Sequence, residues 1–268
     1  MKLNPKAEVV PGKKQIYTDL VIAAHQDDIE IMCPQGIVKG YQSDKYGLVA
    51  VVTADGGGSP RAGDFATMTD EEMKKVRRLE QMEAARIGDY SELIMLNYTS
   101  AEIKDRADDR VTEDYREILL HYRPETLYVH NLADKHPTHV GTVIKAIRAV
   151  RSLPKEARPA KMYGCEVWRA LDWLSDDEKV VFDLTGYEKL LADVLDVFVS
   201  QIAGGKQYSL ASAGRRTANA TYAASHGVDQ YAQCAYAMDL TPLIEDDSID
   251  PRAFILGKLK KFEAEILA

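Results

Sequence analysis

The chain has 268 residues, of which 46% are hydrophobic and 28% charged, and its net charge is −8. That length can bury a sizeable core as one large α/β domain or two small ones, and acidic and basic residues mixed along an acidic chain argue against a nucleic-acid partner, which needs a basic face. No apolar run approaches the roughly 20 residues of a membrane span, Met1 to Lys14 lacks the apolar stretch of a signal peptide, and three scattered cysteines suit free thiols in a reducing, cytoplasmic compartment.

The first apolar run, Asp19 to Ala24, reads as a buried strand. It opens directly into Ala24-His25-Gln26-Asp27-Asp28-Ile29-Glu30. Pro34 to Tyr41 follows as a helix with proline in its first turn. Leu48 to Thr53 is the second strand. It runs into Asp55-Gly56-Gly57-Gly58-Ser59, a flexible loop or one whose glycines let backbone approach a ligand closely. No GxGxxG pattern is present, so no nucleotide is implied. Thr69 to Gly88 is a helix with a hydroxyl-then-carboxylate start and a glycine stop. Met73, Val76, Leu79 and Met82 fall at helical spacing and predict its core face. Leu93 to Leu96 is a strand, Val111 to Tyr122 a helix and Thr126 to His130 another strand. Beyond that strand stands His136-Pro137-Thr138-His139, at the head of a helix over Pro137 to Arg151.

The second half is less regular. Leu153 to Ala160 reads as a connector, Met162 to Ala170 as a strand and Tyr187 to Ile202 as one helix, broken by Gly204-Gly205. Lys206 to Leu240 carries no assignable pattern, and Arg252 to Leu267 reads as a terminal helix. Trp168 and Trp173 read as core residues or as surfaces for a sugar ring. Arg215, Arg216, Asn219 and His226 are candidate pocket residues or a solvated patch. Alternating strands and helices predict an α/β fold with a Rossmann-like parallel sheet flanked by helices. The expectation is a single domain over 1–268, with a core at about 17–200 and a C-terminal elaboration at about 201–268.

In an open parallel sheet, ligands bind beyond the carboxyl ends of the strands. Both His/Asp clusters follow strands, so both fall on that edge. Zinc takes imidazole nitrogen and carboxylate oxygen, and a catalytic zinc keeps three protein ligands plus water. His25 and one aspartate of the Asp27-Asp28 pair come from one turn, and His139 is the natural third ligand. Either aspartate suits the metal, which leaves the other beside its water as a general base. Asp134 is placed to orient a histidine. Glu30 is placed to do the same or to cap the next helix.

At these residues the chain resembles the LmbE-like, or PIG-L-like, zinc-dependent N-deacetylases, whose motifs are A-H-P-D-D-x-E and H-P-D-H. Gln26 replaces the proline of the first, and Thr138 the aspartate of the second. By motif order the resemblance runs from about Tyr17 to Val150. It implies that His25, Asp28 and His139 hold Zn2+, or another divalent ion such as Fe2+. It implies Asp27 as the base and His136, as imidazolium, as the partner of the oxyanion. Carboxylates beside His136 would help it keep its proton, and the metal's charge would oppose them. Arg77 and Glu80 match the family's R-x-x-E pattern. Arg77 is thus a substrate contact or half of a helical ion pair, and Asp55 is a second substrate contact. The implied reaction removes an N-acetyl group from an amino sugar or its conjugate, of the N-acetylglucosamine type, and releases acetate. The alternatives are a metal-dependent amidase acting on a non-sugar molecule and a metal- or ligand-binding protein without turnover. The expected partner is a small amino-sugar substrate, and the family admits homo-oligomers.

Overall fold

The computed structural model describes all 268 residues. Its strands are β1 (Glu8–Pro11), β2 (Asp19–Ala23), β3 (Leu48–Ala54), β4 (Glu92–Tyr98), β5 (Thr126–His130), β6 (Lys161–Cys165), β7 (Lys179–Asp183) and β8 (Cys234–Asp239). Its helices are α1 (Asp28–Met32), α2 (Pro34–Gly40), α3 (Asp70–Ile87), α4 (Ser100–Lys104), α5 (Arg110–Tyr122), α6 (Pro137–Arg151), α7 (Glu188–Asp196), α8 (Val199–Ala203), α9 (Tyr208–Thr221), α10 (Pro242–Glu245) and α11 (Pro251–Leu267).

All eight strands form one sheet in the order β1-β4-β3-β2-β5-β6-β8-β7. From β4 through β6 the neighbours are parallel, as expected. The margins are not: β1, β8 and β7 pair antiparallel. β2 is buried along its whole length because helices cover both sheet faces. Its side chains alternate between two cores. Leu20 and Ile22 enter a cluster of 33 buried residues, and Val21 and Ala23 a cluster of 17. β8 lies between β6 and β7, so the chain beyond residue 200 supplies part of the same sheet.

Helix starts follow local chemistry. Thr69 accepts from the Glu72 amide while Glu72 reaches back to the Thr69 amide, the expected capping box on α3. Pro34 and Pro137 occupy the first turns of α2 and α6. The predicted core face of α3 holds at Met73, which is buried, and at Met82, which packs against the smaller core, but not at Leu79. Leu79 is 60% exposed, and the buried stripe is Met73, Arg77, Glu80, Gln81 and Ala84. The helix turns its polar residues inward because they have partners at the sheet edge, described below. The expected helix over Tyr187 to Ile202 is two, α7 and α8, interrupted at Val197 and Phe198. The strand expected to reach Ala170 ends at Cys165.

Gly47 sits where β3 enters the sheet, and a Cβ there would collide with the Ile16 carbonyl. Backbone cannot yield as a flexible side chain does. Gly47→Ala is therefore expected to lower the unfolding free energy by about 1–3 kcal/mol in urea titration, the range of overpacking. Gly58→Ala, with nothing within 4 Å of its added Cβ, is the control and should be close to neutral.

Candidate metal centre

β2 and β5 are adjacent and parallel, with Ile22 opposite Val129. Their carboxyl ends therefore deliver the two sequence clusters to one place. His25 Nδ1, Asp28 Oδ2 and His139 Nε2 stand 3.2 Å from one another along all three edges. A tetrahedral ion with bonds of about 2.0–2.1 Å needs ligand atoms about 3.3 Å apart. The donor set fits a divalent cation in both spacing and chemistry. His136 also stands within 4.8 Å of His25 and His139, and His130 within the same range of Asp28 and His139.

The aspartates differ in their surroundings. Asp28 Oδ2 accepts the His25 amide at 2.7 Å. Burial opposes its charge, but His139, His25 and His130 overcome that and hold the carboxyl well below its usual range. Asp27 lies in the left-handed region at φ 82°, which aspartate tolerates better than most residues. Its Oδ2 accepts Arg77 Nη2 at 2.9 Å, and its amide donates to Gln81 Oε1 at 3.2 Å. Burial, opposed by Arg77 and reinforced by Asp28, lifts the Asp27 carboxyl to about 6. One aspartate is thus held charged among the histidines, and its neighbour titrates near neutrality.

The His139 loop is tied down by Asp134. Asp134 Oδ1 accepts the His136 amide at 2.9 Å, and its Oδ2 lies 3.5 Å from His139 Nδ1. His136 caps α6, its Nδ1 accepting the Thr138 amide at 3.3 Å. With Nδ1 an acceptor, the ring proton belongs on Nε2. Burial, then His139 and His25, push His136 down to about 4. The expected imidazolium is therefore corrected to a neutral imidazole that donates from Nε2. The surrounding carboxylates pull the other way but are outweighed.

Arg77 takes its ion-pair alternative with Glu80, and two further expectations change. Arg77 is 1% exposed and does not face a substrate space. It bonds Asp27, the Gln26 carbonyl and, at 3.0 Å, Glu80 Oε2. Glu80 is gripped in turn by the Ser200 amide at 2.7 Å and the Ser200 hydroxyl at 2.8 Å. Asp55 pairs with Lys74 Nζ at 3.1 Å and closes its own loop by accepting the Gly57 amide. Glu30 touches no histidine and caps no helix. Its Oε1 accepts Gln81 at 2.8 Å and Tyr90 at 2.6 Å, and burial lifts its carboxyl to about 7.

Some residues of the centre had no sequence signal of their own. His130 read only as the end of a strand. Its ring stacks on His139 with centroids 3.9 Å apart, and its Nε2 accepts the Ala24 amide at 2.9 Å. Gln81 and Ser200 are ordinary helical residues in sequence. Gln26, in place of the family's proline, donates from Nε2 to the Ala54 carbonyl and ties the first motif to β3. Arg216 and Asn219 are buried and bonded to the Glu30 carbonyl and Glu166, and His226 is exposed.

The interior place of Arg77 has a measurable consequence. Arg77→Met leaves Asp27 and Glu80 buried without their cation, and breaking such a pair costs about 3–5 kcal/mol. An arginine on an open substrate surface would cost within about 0.5 kcal/mol. Urea unfolding of the variant is expected to show the larger loss.

Residues 20–150 match the family described as PIG-L: GlcNAc-PI de-N-acetylase. No curated protein matches the sequence. Among solved structures, N,N'-diacetylchitobiose deacetylase from Pyrococcus horikoshii is similar with a TM-score of 0.66 at 19% identity, covering 86% of each chain. The 4-carboxy-2-hydroxymuconate hydratase from Pseudomonas putida KT2440 gives 0.64 at 19% identity, over 83% of this chain and 95% of that one. The zinc-inhibited form of a teicoplanin deacetylase gives 0.59 at 14% identity, over 82% of this chain and 97% of that one. At these identities the likeness is one of fold. Residues 20–150, which carry both His/Asp motifs, are thus the segment of the chain that is similar to the PIG-L, or LmbE-like, family.

Proposed function

We propose that this protein is a metal-dependent hydrolase that removes the acetyl group from an N-acetylated amino sugar or its conjugate, releasing acetate and a free amine. The observation that carries the reading is the 3.2 Å triangle of His25 Nδ1, Asp28 Oδ2 and His139 Nε2, with the Asp27 carboxylate held beside it. His25, Asp28 and His139 would hold the ion, zinc being the first choice for two imidazoles and a carboxylate. Such an ion, when bound, polarises an acyl oxygen and acidifies a water molecule.

The chain's own groups complete the chemistry. Asp27 takes the proton of the attacking water and passes it to the leaving nitrogen. A carboxyl lifted to about 6 suits both tasks near neutral pH. Arg77 fixes one Asp27 oxygen, Oδ2, and leaves the other free of that bond. His136 donates from Nε2 to the oxyanion formed at the acyl carbon. Asp134 steers His139, and His130 supports its ring face.

Similarity to the hydratase bears on the reaction class, since the same fold also carries addition of water to a carbon–carbon double bond. Acetate release separates the two readings. A panel of N-acetylated sugars with coupled acetate detection should show stoichiometric acetate and amine. Hydration of an unsaturated acid with no acetate from any sugar would replace the proposal.

Metal content provides the next test. Elemental analysis should find one divalent ion per wild-type chain and loss of it in His25→Ala. Full retention in that variant would remove His25 from the ligand set.

For Asp27, the sign follows from its role. The base must be unprotonated, so kcat/KM should rise as pH increases through about 6 and fall away below it. Asp27→Asn should keep the metal, lose about 10²–10⁴-fold in turnover and abolish that acidic limb. Loss of metal in Asp27→Asn with retention in Asp28→Asn would reverse the two roles.

A further inference from the structure

A second cleft, of about 380 Å³, opens beside the metal centre between Val167–Trp168 and the start of α9. Its volume falls among those of small-molecule sites. Two aromatic rings face into it: Trp168 and Tyr208 stand 6.3 Å apart at 72°. Its charged lining residues are Lys206 and Arg215, both cations, in a chain of net charge −8. Lys206 Nζ lies 4.9 Å from the Trp168 ring centroid and pairs with no carboxylate. Arg215 makes one bond, from Nη1 to the Val167 carbonyl. Glu166 lies within range of the Arg215 charge, but its oxygens are taken by the Leu171 amide and by Asn219 and the Tyr236 amide.

The cleft adjoins the candidate centre through one direct contact and one shared helix. The Trp168 amide donates to Asp134 Oδ2 at 3.2 Å, the same oxygen that faces His139. Ile31, in the same helix as Asp28, lines the cleft floor. Burial, then the charges of Asp27 and Asp28, push the Tyr208 hydroxyl above its usual value, which places it in the field of both aspartates. All the aromatic and cationic lining lies beyond residue 150, outside the segment that matches the family.

We propose that this cleft is the subsite for the part of the substrate beyond its acetamido sugar, and that it takes an anionic group, phosphate or carboxylate, between Lys206 and Arg215 with a ring face against Trp168. The proposal rests on the deacetylase reading of the adjoining centre. Aromatic faces suit the apolar face of a sugar ring. The guanidinium fork matches both anions bidentately, and the lysine adds a mobile point charge. A neutral amino sugar would leave both cations without a partner.

Tryptophan fluorescence tests the cleft without relying on turnover. The chain has 2 tryptophans, so Trp173→Phe leaves Trp168 as the only reporter. In that background N-acetylglucosamine 1-phosphate, N-acetylmuramic acid and N-acetylglucosamine are titrated in turn. One anionic ligand or both should bind about tenfold more tightly than the neutral sugar, the scale of one charged hydrogen bond. The stronger of the two identifies phosphate or carboxylate as the source. Lys206→Met and Arg215→Met should each bring the anionic affinity towards the neutral value, and Arg215→Lys should keep part of the preference. The Lys206 side chain makes no hydrogen bond, so its variant tests the proposal even if Arg215→Met fails to fold. Equal affinity for all three ligands, no response of Trp168 to any of them, or a preference that survives Lys206→Met would overturn the subsite. Acetate release, measured separately, keeps the two readings apart. Release without anionic preference defeats the subsite alone. Anionic preference without release defeats the deacetylase reading alone.

Discussion

Oδ2 of Asp28 is the atom on which the candidate metal centre depends. The residue is 3% exposed, and burying an unpaired carboxylate costs several kcal/mol. It is kept charged because two imidazoles and one amide converge on it: His25 through its amide at 2.7 Å and its ring at 3.2 Å, and His139 at 3.2 Å. Those partners come from the end of β2 and from the head of α6, which follows β5. Parallel pairing of β2 with β5 is what lets residues more than a hundred positions apart meet at one oxygen. His130 makes the join tighter, because it takes the Ala24 amide on one side and stacks on His139 on the other.

A second constraint acts on Asp27 from behind. Its backbone is left-handed and its carboxylate would swing freely were it not held. Arg77 holds it, Glu80 holds Arg77, and Ser200 holds Glu80. Phe198 adds its ring beneath the guanidinium at 5.4 Å. A network of buried charges of this kind is stable only when every member is satisfied. The N-terminal motif is therefore completed by α8, from the far half of the chain. The same turn of chain continues through Gly204-Gly205 into the aromatic cleft, so one segment carries both the brace on Asp27 and a wall of the neighbouring cleft.

The interior strands were legible because both of their faces are buried. Runs such as Leu20 to Ala23 and Leu48 to Val52 are aliphatic throughout, a pattern only a covered parallel sheet needs. The margins were not. β1 is four residues long with an alternating half-buried pattern, and β8 reads Cys-Ala-Tyr-Ala-Met-Asp without a β-branched residue. In the site, His25, His139, Asp134 and the Asp27-Asp28 pair were readable because few other roles need those residue types after a strand, while the choice of Asp28 over Asp27 came only from the family resemblance. For Arg77 the ion-pair alternative held with Glu80 and the substrate contact did not, and Glu30 met neither expectation, for one reason. Sequence shows that a charged residue is present but not which way its helix turns. The apolar spacing through Leu79 pointed outward, and the polar stripe through Arg77 and Gln81 pointed in. Burial of that stripe follows from partners on another element, which no local periodicity records.

Reaction class is not written in the sheet, since similar sheets carry a hydratase as well as deacetylases. Selection then lies in the groups around the candidate site, and this chain departs from the family's motifs at two of them. Gln26 adds a hydrogen bond to Ala54 where the family's proline has no side-chain donor, which stiffens the turn that presents Asp27. Thr138 removes a negative charge from the first turn of α6, beside His136. With that charge gone, burial and the neighbouring imidazoles dominate, and His136 stays neutral above about 4. Its Nδ1 accepts the Thr138 amide, so its proton is confined to Nε2. A neutral imidazole in a fixed tautomer is a hydrogen-bond donor rather than a strong acid. It can stabilise an oxyanion but is poorly suited to protonate a leaving amine. In the proposed reaction, proton transfer to the nitrogen then falls to Asp27, whose raised carboxyl can both take a proton and return it.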